Sequence, residues 1–291
     1  MKNLKIIPLL IGLIFTLVAC GNNKAASVGE PKVKTVNFQR KYKLKSVPTL
    51  FFHGALSNYR AETNITKAAK LIGITNSITR IDVSPDGKVK FIGTIKKNAI
   101  NPIIEVNYKN NIQFDFAKAG MYATNVIKAL KQKYGISQIN VVAHSLGNMS
   151  VMYYLIQNYH KNMPKINKQV AIAGHFNGVA LKQTLQNLRA PDNLKLSASG
   201  KPNKMNQAYK QMLILRKIYP QERTKVLNIV GDKGKASDGL VPNASSESLK
   251  YLLGSDSNNY QVKKYYGPKA DHGRLTYNRQ VIRDVINFLW R

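Results

Sequence analysis

Two hydrophobic periods alternate along this chain. Short apolar runs suit strands, and longer stretches with apolar positions three or four residues apart suit helix faces. Residues 47–52 form a short apolar run ending at His53-Gly54, and 61–72 has helical spacing. Residues 78–83 and 88–95 alternate around Ser84-Pro85-Asp86-Gly87, which predicts a hairpin. A strand at 103–106 and a long helix at 116–134, closed by Gly135, come next. The run 139–143 leads into Ser145 and a helix to about 159. Short buried strands are expected at 170–173 and 226–230, a helix around 246–253, an alternating strand at 260–266 and a closing helix at 281–290. Strands alternating with helices at this pace predict an α/β fold, a mostly parallel central sheet covered by helices on both faces. The stretch 181–220 breaks the alternation and reads as a small inserted cap. Within it, Met205, Tyr209, Met212, Leu213 and Tyr219 recur among Lys204, Lys210, Arg216 and Lys217. This predicts an amphipathic cap helix that packs on the domain, or touches a bilayer surface. No internal repeat is visible.

The first 45 residues do not fit that pattern. Lys2 and Lys5 precede an apolar run over 6–18, too short for a membrane span and suited to an export signal. Leu17-Val18-Ala19-Cys20 follows directly and resembles a bacterial lipobox, in which the cysteine becomes the lipidated first residue. Cys20 is the only cysteine, which suits an exported chain without disulfides. The organisation expected is a signal peptide at 1–19, a polar, lysine-rich tether at 20–45 and one domain at 46–291. The expected location is the outer face of a bacterial membrane, held there by the lipid.

Charge adds a partner class. The chain carries 45 Lys and Arg against 14 Asp and Glu, a net +31. That excess attracts anionic lipid, anionic cell-wall polymer or nucleic acid. The basic residues are scattered, with no basic arm, zinc-finger spacing or RNA-binding aromatic motif, so no specific nucleic-acid partner is expected.

The candidate chemistry begins at Ala143-His144-Ser145-Leu146-Gly147, between a strand and a helix. That context suits a nucleophile elbow, a sharp turn that lifts a serine hydroxyl above the sheet. Small residues are needed two before and two after the serine, and Ala143 and Gly147 supply them. The following helix directs its positive end at the site. A serine hydroxyl needs a base, and His272 lies between the last strand and the last helix, where the chain order Ser, Asp, His places it. His53, His144, His160 and His175 sit at less suitable points. Two acids follow the strand at 226–230. Asp238 heads Asp-Gly-Leu-Val-Pro, matching the D-x-x-V-P of many such enzymes, whereas Asp232 suits a turn. Asp271 adjoins His272 in sequence and is badly placed to orient it. Backbone N–H groups of Leu146 and Ala55 are the expected oxyanion donors, the latter because His53-Gly54-Ala55 resembles the HG loop of lipases and esterases.

The segments HGALSN, NPIIEVNYKNN, VVAHSLGNMS, GDKGKASDGLVP and DHGRL resemble the cell-surface α/β-hydrolases of Gram-positive bacteria, over roughly residues 45–291. The usual elbow there is close to G-H-S-M-G-G, from which Ala143, Leu146 and Asn148 depart. The resemblance implies Ser145, Asp238 and His272 as nucleophile, acid and base. The activity expected is esterase-like hydrolysis of a small ester or acyl substrate, with no cofactor and no metal. An acyltransferase acting on cell-envelope acceptors would carry the same residues, and a non-catalytic binding protein could keep the fold.

Overall fold

The computed structural model describes residues 42–181 and 183–291. The expected signal peptide, Cys20 and all but the last residues of the expected tether lie outside the described residues. Eight strands form a single sheet: β1 (Thr49–Phe52), β2 (Ile78–Val83), β3 (Val89–Ile92), β4 (Ile103–Tyr108), β5 (Gln138–His144), β6 (Lys165–Ile172), β7 (Lys225–Asp232) and β8 (Tyr260–Tyr266). Their order is β3-β2-β4-β1-β5-β6-β7-β8. Among the described strands only the β2–β3 pair is antiparallel, joined by the turn at Ser84–Gly87. The fold is therefore the mostly parallel, doubly covered sheet that the sequence pattern predicts, in the α/β-hydrolase arrangement that the resemblance implies.

The strands bury both faces, so alternate residues feed two cores. Leu50 and Phe52 of β1 point into one cluster and Phe51 into the other. The helices α1 (Thr63–Leu71) and α8 (Arg279–Trp290) cover the second face, where Ile65, Val281, Val285 and Trp290 meet Phe51 and Val142. On the first face lie α2 (Phe116–Tyr134) and α3 (Gly147–Asn158). Asp115 caps α2 by accepting from the Lys118 N–H, and Gly135 ends it at φ +66°. The helix α3 is buried on nearly every side, consistent with its apolar composition.

The region 205–219 is not one helix. It breaks into α4 (Gln207–Met212) and α5 (Leu215–Glu222). Tyr209, Met212, Leu215, Ile218 and Tyr219 are buried in the first core, while Lys204, Lys210 and Lys217 face solvent. Arg216 instead lies over the Tyr251 ring, 3.8 Å from its centroid. The expected helix around 246–253 is likewise two short ones, α6 (Asn243–Glu247) and α7 (Leu249–Leu252).

After β1 the chain builds toward one edge of the sheet, and from β5 onward toward the other. The reversal between β1 and β5 leaves a crevice at their carboxyl ends, where ligands settle in open parallel sheets. The candidate catalytic and oxyanion residues all follow carboxyl ends of parallel strands: Ala55 after β1, Ser145 and Leu146 after β5, Asp238 after β7 and His272 after β8.

Candidate active site

Ser145 follows β5 directly at φ +48°, a left-handed conformation that costs a non-glycine residue on the order of 1–3 kcal/mol. The turn is held from behind. The Ser145 N–H donates to the Ile172 carbonyl (2.9 Å), and the Asn148 side chain donates to the carbonyls of Ser145 (3.1 Å) and Ile172 (3.2 Å). A Cβ at Gly147 would lie 2.3 Å from the Phe52 carbonyl oxygen, so the second residue after the serine must be glycine. Ala143, two before it, is completely buried.

Three side chains from three loops meet in a line. His272 Nε2 is 2.9 Å from Ser145 Oγ, and His272 Nδ1 is 2.8 Å from Asp238 Oδ2. The carboxylate can only accept, so Nδ1 carries the proton and the Nε2 lone pair faces the serine hydroxyl. The other oxygen of Asp238 accepts from the N–H groups of Leu240 (2.9 Å) and Val241 (2.7 Å). Asp238 is buried, while His272 is partly open to the cavity. This arrangement can take a proton from Ser145 and stabilise the imidazolium that results.

Asp232 is occupied elsewhere, accepting from the Gly234 N–H (2.9 Å) and the Asn243 side chain (2.7 Å). Asp271 pairs with Lys233 at 2.8 Å, which holds its carboxyl below the usual range. Gly231 is the close approach that lets the histidine loop lean on β7, since a Cβ there would sit 2.2 Å from the Ala270 carbonyl.

The remaining histidines have separate duties. His53 Nδ1 donates to the Gly54 carbonyl (2.8 Å) and its Nε2 accepts from the Tyr108 N–H (3.0 Å), which fixes the His53-Gly54-Ala55 loop. His144 Nε2 donates to the His272 carbonyl (3.0 Å), and its Nδ1 is buried without a partner. Burial, then the neighbouring His272, pushes the His144 pKa down to about 3. His175 lines the cavity, its pKa lowered to about 4 mainly by burial. His160 is exposed.

Ser145 and His272 open into a cavity of about 380 Å³. Its walls are largely apolar and include Phe114, Leu146, Val179, Leu188 and Leu240. Ala55 and Leu146 both line it beside Ser145, and among the described residues neither backbone N–H is spent on a hydrogen bond within the protein. Among the described residues no cluster of His, Cys, Asp or Glu has the makings of a metal site. Sequence reasoning missed the walls given by Val179, Leu181 and Leu188, and the contact of His144 with the His272 carbonyl. No local pattern marks either.

Residues 37–291 match a family described as alpha/beta hydrolases of unknown function, DUF915. The chain belongs to that family. Solved structures that share the fold of this DUF915 hydrolase include the following two. A Listeria innocua protein is 23% identical with a TM-score of 0.71, covering 84% of this chain and 94% of its own. A protein from Lactobacillus plantarum, designated a cell surface hydrolase, is 19% identical with a TM-score of 0.56, covering 82% and 88%. Comparison with curated proteins found no match. Among the described residues, no helix is long and apolar enough to cross a membrane.

Proposed function

We propose that this DUF915 hydrolase is a serine esterase, lipid-anchored through Cys20 at the outer face of a bacterial membrane. The observation that carries the catalytic reading is the hydrogen-bonded line from Asp238 through His272 to Ser145 at the edge of an apolar cavity. In this reading Ser145 Oγ attacks the ester carbonyl as His272 takes its proton, and the Ala55 and Leu146 N–H groups receive the negative oxygen. The C–O bond to the alcohol breaks, and His272 returns the proton to the leaving alkoxide. Water, deprotonated by His272, then attacks the acyl-serine, releasing the carboxylic acid and restoring Ser145. The lipid anchor rests on Leu17-Val18-Ala19-Cys20 alone. The test is covalent labelling by a fluorophosphonate, together with turnover of p-nitrophenyl esters of graded chain length. Labelling and turnover should both vanish in Ser145→Ala, with a loss on the order of 10⁴-fold or more. A folded Ser145→Ala chain that still hydrolyses at the wild-type rate would overturn the reading.

A further inference from the structure

Ten large hydrophobic side chains are exposed among the described residues; three of them line the cavity, and two more sit in chain segments next to its lining residues or bonded to them. Leu56 (83% exposed), Leu181 and Tyr277 line the cavity itself. Leu185 lies between the cavity-lining Thr184 and Leu188, and Ile112 follows Asn111, whose carbonyl accepts from the Leu56 N–H. They come from four separate loops, so no single amphipathic element accounts for them. Leu56 also holds a left-handed φ of +55° while exposed, an arrangement that folding alone does not favour. Clustered apolar surface of this kind, continuous with a cavity, marks an interaction site.

We propose that this rim docks on an anionic lipid bilayer, and that the ester cleaved is an acyl ester drawn from that bilayer into the cavity. The substrate half rests on the esterase reading above; the docking half does not. Charge favours a bilayer over a protein partner. Exposed Arg60 and Arg274 adjoin the cavity residues Ala61 and Gly273, and the chain carries a net +31. Of the acids nearby, Asp271 is paired with Lys233, and Asp115 caps α2. Chain length permits the approach as well. The described chain enters the sheet beside Trp290, at the amino ends of the strands and away from the mouth. Twenty-two residue steps separate Cys20 from Tyr42, a reach of about 75 Å at full extension, ample to let a tethered domain turn its mouth to the membrane.

Because Cys20 is the only cysteine, the Cys20→Ser full-length chain accepts a single environment-sensitive dye at a chosen site. Ile112→Cys places it on the rim, and Leu71→Cys, at the far end of α1 and 86% exposed, serves as the control. Neither residue lines the cavity. On adding phosphatidylglycerol vesicles, the dye at 112 should shift to the blue and the dye at 71 should not. The shift should be weaker with phosphatidylcholine vesicles and should fall with salt. No shift at 112, equal shifts at both sites, or a shift that follows protein concentration without vesicles would overturn docking, the last by showing that a second copy covers the face. Turnover of a dissolved p-nitrophenyl ester by the same labelled chains reports the esterase reading separately. A fluorogenic phospholipid in the same vesicles tests the substrate half. Hydrolysis of the dissolved ester but not of the vesicle lipid would overturn that half alone.

Discussion

Asp238 holds His272 at two points: its Oδ2 faces the ring Nδ1 at 2.8 Å, and its carbonyl accepts the His272 N–H at 3.0 Å. The loop that carries Asp238 thus also fixes the backbone of His272. Only the side-chain contact is removed by Asp238→Asn. The amide can present its own N–H to Nδ1 and favour the wrong tautomer, so turnover should fall roughly 10⁴-fold with KM little changed. Asp232→Asn should instead weaken the turn at Gly234 and Asn243, costing about 1 kcal/mol of stability and little activity. Kinetics and melting temperature of the two variants separate these roles. A large kinetic loss confined to Asp232→Asn would reverse the assignment.

The two acids show what sequence could supply. Asp238 was legible because Asp-Gly-Leu-Val-Pro is a local motif, and its loop folds on itself through the Leu240 and Val241 N–H groups. The elbow was legible for the same reason, since strand, small residues and helix adjoin in sequence. The break between α4 and α5 was not. The apolar spacing runs unchanged through Leu213 and Ile214, and a broken helix buries the same face as a straight one. The cavity walls come from loops far apart in the chain, and such assembly leaves no periodic trace.

His144 should act as a positioning residue. Its Nε2 donates to the His272 carbonyl, with ring centroids 5.1 Å apart, so it steadies the base without facing the serine. His144→Phe leaves that carbonyl unpaired, and kcat should fall roughly tenfold, the worth of about one displaced hydrogen bond, with KM unchanged. His144→Gln, which keeps a donor, should recover most of the loss. Equal kcat for the two variants would refute the positioning role.

Acid should destabilise the fold through its buried histidines. Burial lowers the pKa of His53, of His144 to about 3 and of His175 to about 4, against 6.5 for an exposed imidazole. Below pH 6.5 the unfolded chain binds protons that the folded chain refuses, so stability falls as pH drops from 6.5 toward 4. Each fully buried histidine contributes up to about 1.4 kcal/mol per pH unit in that window. Calorimetry between pH 7 and 4.5 should show this fall, and His175→Phe should make it shallower. An unchanged slope in that variant would count against a neutral buried His175.

Removing the Cys20 thiol tests the proposed anchor. Cys20→Ser should leave the chain unprocessed or released, because the acyl chains would supply most of the membrane affinity. With +31 net charge some protein will adhere to an anionic envelope, so membrane fractions must be washed at high salt. A correctly processed Cys20→Ser chain that remains bound after the wash would exclude lipidation at that residue.

Glu62 should act in the opposite sense to the histidines. It is 1% exposed, neither carboxyl oxygen has a partner, and burial with the nearby Glu105 raises its pKa to about 8. Between pH 4.5 and 8 the folded chain holds a proton on Glu62 that the unfolded chain has released. Stability is therefore lost as pH rises through that window, by on the order of 3–5 kcal/mol at its upper end. Glu62→Gln keeps the shape and stays uncharged, so this loss disappears. The variant should gain on the wild type steadily from pH 5 to pH 8, read as the difference in melting temperature. A difference that does not change with pH would show that Glu62 is ionised in the folded protein and compensated by its surroundings.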